Sequence, residues 1–269
     1  MIRDTTGSYW DIIVFVVLRD DQLERYSRQM ILSGVGGIGQ EKLLSSSVLV
    51  LGAGGLGSGV LSYLSCSGVG TLGIIDFDNV ELSNLHRQII HNTCDVGKPK
   101  IISAREKIQK QNPDVNVVTF KEKLNKSNIG KIFSDFEIIV DGLDNFDDKF
   151  LVNDYCVLLN KKLVHAGATG FEGQVLTVIP HESACLRCYF PDKPPGGMQR
   201  SCRQVGVLGT CVGVISVLQA NEVLKLILGI GKLLVNRVLK YNALDESFYE
   251  FKIPGKNKDC PICTKALKT

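Results

Sequence analysis

Two periodicities alternate along the first part of this chain. Val48-Leu49-Val50-Leu51 is a short apolar run between serines and a glycine, the pattern of a strand buried on both faces of a parallel sheet. Residues 71–75 repeat it and stop at Asp76; residues 115–120 and 137–140 follow, the latter stopping at Asp141, and Leu163-Val164 reads as a further short strand. Helical stretches fill the intervals. Residues 20–44 mix charged and apolar positions around a turn at Gly34-Val35-Gly36-Gly37, and another helix follows the glycine run at 52–57 as far as about Ser67. Pro99 stands where a helix starts, and Ile101, Ala104 and Ile108 give it one apolar face to about Asn112. Residues 125–133 and 145–160 are helical in the same way. Strand–helix alternation at this spacing predicts an α/β fold with a Rossmann-like, doubly wound, mostly parallel sheet.

Beyond Gly167 the grammar changes. Residues 173–179 read as a strand, 180–204 as a loop rich in Pro, Gly and Cys, and 205–228 as a long helix. Two short strands, 237–242 and 247–252, lead into a Lys-rich tail that contains cysteines. The expectation is one nucleotide-binding domain over residues 20–269 with an elaborated C-terminal half, preceded by an extension, residues 1–19, to which no role is assigned.

Composition narrows the function. The chain has 269 residues, 44% hydrophobic and 22% charged, enough to bury a large core and too apolar to be disordered. Its 31 Lys and Arg against 28 Asp and Glu leave a net charge of +3, spread along the chain, which argues against a nucleic-acid partner. The apolar run 12–18 is too short to span a bilayer, and Asp4 and Asp11 ahead of it speak against an export signal. Residues 204–221 carry no formal charge but include Gln204, Thr210, Ser216, Gln219 and Asn221, so they read as a core helix and no membrane partner is expected. Nine cysteines without an export signal point to metal or thiol chemistry in a reducing, cytoplasmic setting.

Gly52-Ala53-Gly54-Gly55-Leu56-Gly57 lies between a strand and a helix, the context a dinucleotide fingerprint requires. The first glycine makes the tight turn, the second admits phosphate to the backbone, and the third lets helix and sheet pack closely. Asp76 stands nineteen residues after Gly57, where a carboxylate can accept ribose hydroxyls. No P-loop sequence is present, so an NAD-dependent oxidoreductase is the alternative at this point. Downstream residues weigh against it. Asp78, Ser83, Asn84, Arg87 and Lys100, then Asp141, Asp144 and Asn145, gather cations and acids at strand ends, which suits a triphosphate with Mg2+ better than a bridging diphosphate. The histidines at 86, 91, 165 and 181 are scattered and read as ordinary polar residues.

Arg25-Tyr26-Ser27-Arg28-Gln29, the glycine run, Asp76-Phe77-Asp78, Ser83-Asn84-Leu85-His86-Arg87-Gln88, Gly97-Lys98-Pro99-Lys100 and Asp144-Asn145 resemble, in this order, the ThiF/MoeB/HesA family, bacterial relatives of the ubiquitin-activating enzymes. The resemblance runs from about Asp20 to Cys263. It implies an ATP-dependent adenylyltransferase for the C-terminal glycine of a ubiquitin-like sulfur-carrier protein ending in Gly-Gly, ThiS- or MoaD-like, in thiamine thiazole or molybdopterin biosynthesis. By position, Gly55 and Asp76 meet the nucleotide, Asn84, Arg87 and Lys100 the phosphates, and Asp144 is the magnesium-linked acid. Gly52, Gly54, Gly57, Asp78, Ser83 and Asn145 complete the candidate binding set. Arg28 resembles an arginine that reaches into a neighbouring subunit's site, which implies a homodimer. No rhodanese-like segment follows Cys263, so a separate sulfur donor is expected.

Cys185-Leu186-Arg187-Cys188 and Cys260-Pro261-Ile262-Cys263 form two C-x-x-C knuckles, whose four thiolates make a closed, structural Zn2+ site clipping the tail to the body. Cys202, between Arg200 and Arg203, is the candidate reactive thiol, because nearby positive charge favours thiolate. The matching cysteine of thiazole-pathway relatives is linked to covalent attachment of the carrier, but MoeB-type members have a similarly placed cysteine, and a free loop thiol is the alternative reading of Cys202.

Overall fold

A computed structural model describes residues 2–3, 9–10, 18–191 and 205–263. Strands β1 (Ile2–Arg3) and β2 (Tyr9–Trp10) pair as a separate two-stranded ribbon. Helices α1 (Asp20–Met30) and α2 (Gly36–Ser45) precede the strand–helix alternation. In chain order come β3 (Ser47–Leu51), α3 (Gly55–Cys66), β4 (Thr71–Ile75), α4 (Lys100–Gln111) and β5 (Asn116–Phe120). Then follow α5 (Ile129–Phe133), β6 (Ile138–Asp141), α6 (Phe146–Leu158), β7 (Lys162–Thr169) and β8 (Glu172–Val178). Helices α7 (Leu186–Tyr189) and α8 (Gly209–Leu228) and strands β9 (Arg237–Asn242) and β10 (Ser247–Lys252) complete the described chain.

The main sheet has eight strands in the order β10-β9-β8-β7-β6-β3-β4-β5. From β5 to β7 neighbours are parallel; β8, β9 and β10 add antiparallel ladders at one side. The order reverses between β3 and β6, and that switch point opens a crevice beyond the strands' carboxyl ends. Strand alternation feeds two cores. Val48, Val50, Leu72 and Ile74 face the side covered by α3, α4 and α8, whereas Leu49, Leu51 and Ile139 face the side covered by α5 and α6. Helix α8 meets the length and composition of a membrane span, yet its Val212, Ile215, Val223 and Leu226 pack into the first of these cores.

Three elements depart from the expected boundaries. Residues 125–128 do not join α5, because Asn125 Oδ1 accepts the Ser127 amide and Asn128 Oδ1 accepts the Asn125 amide, a turn that competes with helix. The expected two-residue strand at 163–164 runs through Thr169, since β8 pairs with it along its whole length. Helix α8 starts at Gly209 and not at 205, because residues 206–208 bridge to Gly170: the Gly170 amide donates to the Gly206 carbonyl and the Leu208 amide to the Gly170 carbonyl, both at 2.9 Å.

The turn after β3 depends on glycine twice. Gly52 has φ +90°, a left-handed conformation that side chains strain. A Cβ on Gly57 would stand 1.8 Å from the Gly52 carbonyl oxygen, so α3 sits directly on the turn. Gly57→Ala must push the helix off that carbonyl, and we expect a loss of about 3 kcal/mol in urea denaturation. An unchanged midpoint would show that the helix is free to shift.

Candidate active site

The crevice at the switch point is a cavity of about 670 Å³. The structure brings Gly52, Gly54, Gly55, Asp76, Asp78, Asn84, Arg87, Lys100, Asp144 and Asn145 to its wall. At the nucleotide end, Asp76 braces the glycine turn: its Oδ2 accepts the Ala53 amide and its Oδ1 the Asp78 amide, both at 2.8 Å. Each carboxylate oxygen has a second lone pair, so a ribose hydroxyl can still be accepted. From below, His91 holds the same turn, with Nε2 2.9 Å from the Ala53 carbonyl and Nδ1 2.8 Å from Ser103 Oγ. Burial lowers the His91 pKa and keeps the ring neutral.

Lys100, 5% exposed, donates to Asp78 Oδ2 at 3.0 Å. Arg87 donates to the Ser83 carbonyl at 3.0 Å, which ties the guanidinium to its own turn. Gln88 also lines the cavity, and its buried Oε1 has no hydrogen-bond partner among the described residues. A buried polar atom left unpaired at a cavity wall is an opening for a ligand group. Gln88 stands inside the polar run that carried the resemblance, but nothing in its residue type marked it out.

Other candidates take different places. Gly57 packs against the turn and does not line the cavity. Ser83 is exposed outside it, with Oγ donating to Glu81 Oε2 at 3.3 Å. Asn145 lines the wall but is the N-cap of α6, accepting the Asp148 amide at 2.8 Å. Asp144 is exposed at the rim. Arg28 is exposed on α1 and is absent from this chain's cavity. Cys202 lies outside the described residues.

Beneath the cavity is a buried ionic cluster of which the sequence pattern marked only Asp141. Asp141 Oδ2 accepts Lys149 Nζ at 3.0 Å and His165 Nδ1 at 2.6 Å, and Lys149 also donates to the Ala166 carbonyl at 2.7 Å. Burial pushes Asp141 up, but the Lys149 charge and the His165 bond outweigh it and bring the carboxyl down to about 2. His165 is held below its usual range by burial and by Lys149. It is therefore not an ordinary scattered polar residue. The available signal was Lys149, which shares the buried face of α6 with Asn153 and Cys156.

The ThiF family profile matches residues 26–262. The chain belongs to the ThiF family. Among its relatives, the sulfur carrier protein adenylyltransferase of Thermus thermophilus is 44% identical over 248 residues, covering 90% of this chain and 91% of that one. The SAMP-activating enzyme E1 of Haloferax volcanii is 43% identical over 243 residues, covering 90% and 89%. The adenylyltransferase and sulfurtransferase MOCS3 of Arabidopsis thaliana is 47% identical over 247 residues, but this ThiF-family chain spans only 53% of its length. Among solved structures, E. coli MccB crystallised with ATP superposes with a TM-score of 0.80 at 25% identity, covering 89% of this chain and 74% of that one.

The four knuckle cysteines of this ThiF-family chain converge although 75 residues separate their pairs in sequence. The Sγ atoms of Cys185 and Cys188 are 3.9 Å apart, those of Cys185 and Cys260 3.7 Å, and those of Cys188 and Cys263 3.7 Å. A tetrahedral ion with metal–sulfur bonds of about 2.3 Å requires edges of about 3.8 Å, so the set could hold one. Helix α6 seats the first knuckle: Asn153 Oδ1 accepts the Leu186 amide at 2.8 Å, and Arg187 grips Asp154 through two bonds of 2.6 and 2.7 Å.

Two outcomes follow from these clusters. Elemental analysis should find about one ion per chain, and Cys185→Ser or a strong chelator should lower the Tm; a metal-free protein of unchanged Tm would contradict the site. Separately, the unfolded chain takes up protons that the fold excludes, at His91 and His165 below about pH 6.5 and at Asp141 below about pH 4. Stability should therefore fall from about pH 7 to pH 5, and the Asp141 contribution should be lost between about pH 4 and pH 2. His91→Gln should flatten the first slope in urea midpoints; a flat wild-type profile would rule out neutral buried imidazoles.

Proposed function

We propose that this chain uses ATP to adenylate the C-terminal glycine of a ubiquitin-like sulfur-carrier protein, activating it for sulfur transfer in thiazole or molybdopterin synthesis. The observation that carries this reading is a single cavity with two unlike ends. The glycine turn, Asp76, Arg87 and Lys100 line one, and Gly167, Ala168 and Gly173 line the other. A Cβ on Gly167 would meet nothing within 4 Å, so that end offers open space to a slender polypeptide tail. The relative named as a sulfur carrier protein adenylyltransferase and the one named as an adenylyltransferase and sulfurtransferase support the same assignment, over the oxidoreductase alternative.

The chemistry asks little of acid–base catalysis. A terminal carboxylate has a pKa of about 3.5 and is already ionised at neutral pH, so no general base is required. It attacks the α-phosphorus, the bond to the β-phosphate oxygen breaks, and pyrophosphate leaves with that electron pair. The barrier is repulsion between two anions, which Lys100 and Arg87 offset while the braced glycine turn holds the phosphates in line. Asp144 offers a hard carboxylate oxygen at the rim, suited to Mg2+, which would neutralise phosphate charge. The cysteine geometry fits Zn2+, a structural ion with no open position. A sulfur nucleophile from a separate donor would then displace AMP.

Arg28 would complete the site across a homodimer. Its exposure on α1 supports this, as does the apolar surface beside it, where Ile31 is 75% and Ile38 71% exposed.

Asp144→Ala and Arg28→Ala should each reduce carrier-stimulated ATP–pyrophosphate exchange by about 100-fold or more, with the near-UV spectrum unchanged. Undiminished exchange removes that residue from the site. A wild-type protein that ignores ATP with every β-grasp carrier offered overturns the reading.

A further inference from the structure

Asp141 does more than neutralise Lys149 and hold the His165 ring. Its Oδ2 joins Lys149 on α6 to His165 on β7, while its Oδ1 accepts the Leu143 amide at 3.0 Å. Its own carbonyl accepts Gln219 Nε2 from α8 at 2.8 Å. Gly142, Leu143, Asp144, Lys149 and His165 all line the cavity, so one carboxylate ties together the turn, helix and strand that form its floor. The Leu143 bond closes the turn whose next residue is Asp144. Asp144 is exposed, whereas Asp141 is fully buried, so the fixed end of the turn lies at Asp141.

We propose that Asp141 is a positioning residue, setting the Gly142–Leu143 turn so that Asp144 is presented to the phosphates in one geometry. A misplacement of about 1 Å at a reacting centre costs about 100-fold in rate, so a turn held by one buried acceptor is a large lever. The pairing with Lys149 and His165 keeps the carboxylate ionised and immobile, which a solvated turn aspartate is not. The catalytic part of this inference rests on the adenylyltransferase reading above.

Paired substitutions separate the turn from the buried charge. Asp141→Leu with Lys149→Met removes both ions together, leaving no unpaired charge in the core but no acceptor for the Leu143 amide. Asp141→Asn with Lys149→Met keeps that acceptor as an amide oxygen, and the His165 ring can accept from the new amide N–H in its other tautomer. The leucine pair should lose about 100-fold in kcat of carrier-stimulated ATP–pyrophosphate exchange, with KM for ATP changed by less than about threefold. The asparagine pair should stay within about threefold of wild type in both. Asp144→Ala added to the leucine pair should cost little more, because both act through one group; multiplied losses would overturn the proposal. Amide hydrogen exchange at Leu143, read by NMR, should be slow in wild type and the asparagine pair and fast in the leucine pair. Equal protection in all three, or wild-type kcat in the leucine pair, would also overturn it. If the leucine pair does not fold, the asparagine pair decides alone, and loss of either its rate or its protection refutes the role. A wild-type protein without exchange activity refutes the functional reading instead, and Leu143 protection still judges the turn.

Discussion

The seating of helix α3 on the carbonyl of Gly52 sets the position of everything that follows at the cavity. With no side chain at position 57, the first turn of the helix comes down onto the strand end, and its Gly55 and Leu56 line the crevice. That contact places the glycine turn within reach of Asp76 from β4 and of His91 from the segment before α4. A nucleotide-binding wall thus arises from close backbone approach braced by a carboxylate on one side and a neutral imidazole on the other.

The buried charges obey a second constraint. Lys100 is buried beside the partly exposed Asp78, and Lys149 and Asp141 are buried together; buried pairs contribute little net stability compared with apolar packing. Lys100 lies at the cavity wall, not deep in either apolar core, which makes sense if its task is to preset a field, whereas Lys149 serves to hold Asp141. Cations already fixed before a polyanion arrives need no reorganisation during reaction, which is where electrostatic catalysis gains most. Asp78 keeps Lys100 in place when the site is empty of anions.

The antiparallel half answers a different need. Strands β8, β9 and β10 continue the sheet beyond β7, and Gly173 of β8 joins Gly167 and Ala168 of β7 in lining the cavity. The cysteine cluster then anchors the segment after β10 to α6, the same helix that contributes Lys149 to the floor. Helix α6 is thereby held at its start by the Asn145 cap and further along by the Asn153 and Asp154 contacts to the knuckle.

Local chemistry determined much of this protein in advance. The parallel strands, the glycine turn with its acid, the polar run through Gln88 and the two knuckles are legible because each rests on periodicity or on neighbours a few residues apart. Boundaries failed where side chains or distant strands captured the backbone, as at Asn125, at Gly170 and along β7. The tertiary structure alone decided that Asn145 caps a helix, that Gln88 keeps an open acceptor, and that His165 and Lys149 share Asp141. Those relations cross between strands and helices whose neighbours are set by sheet order, and no local preference encodes which strand will lie beside which.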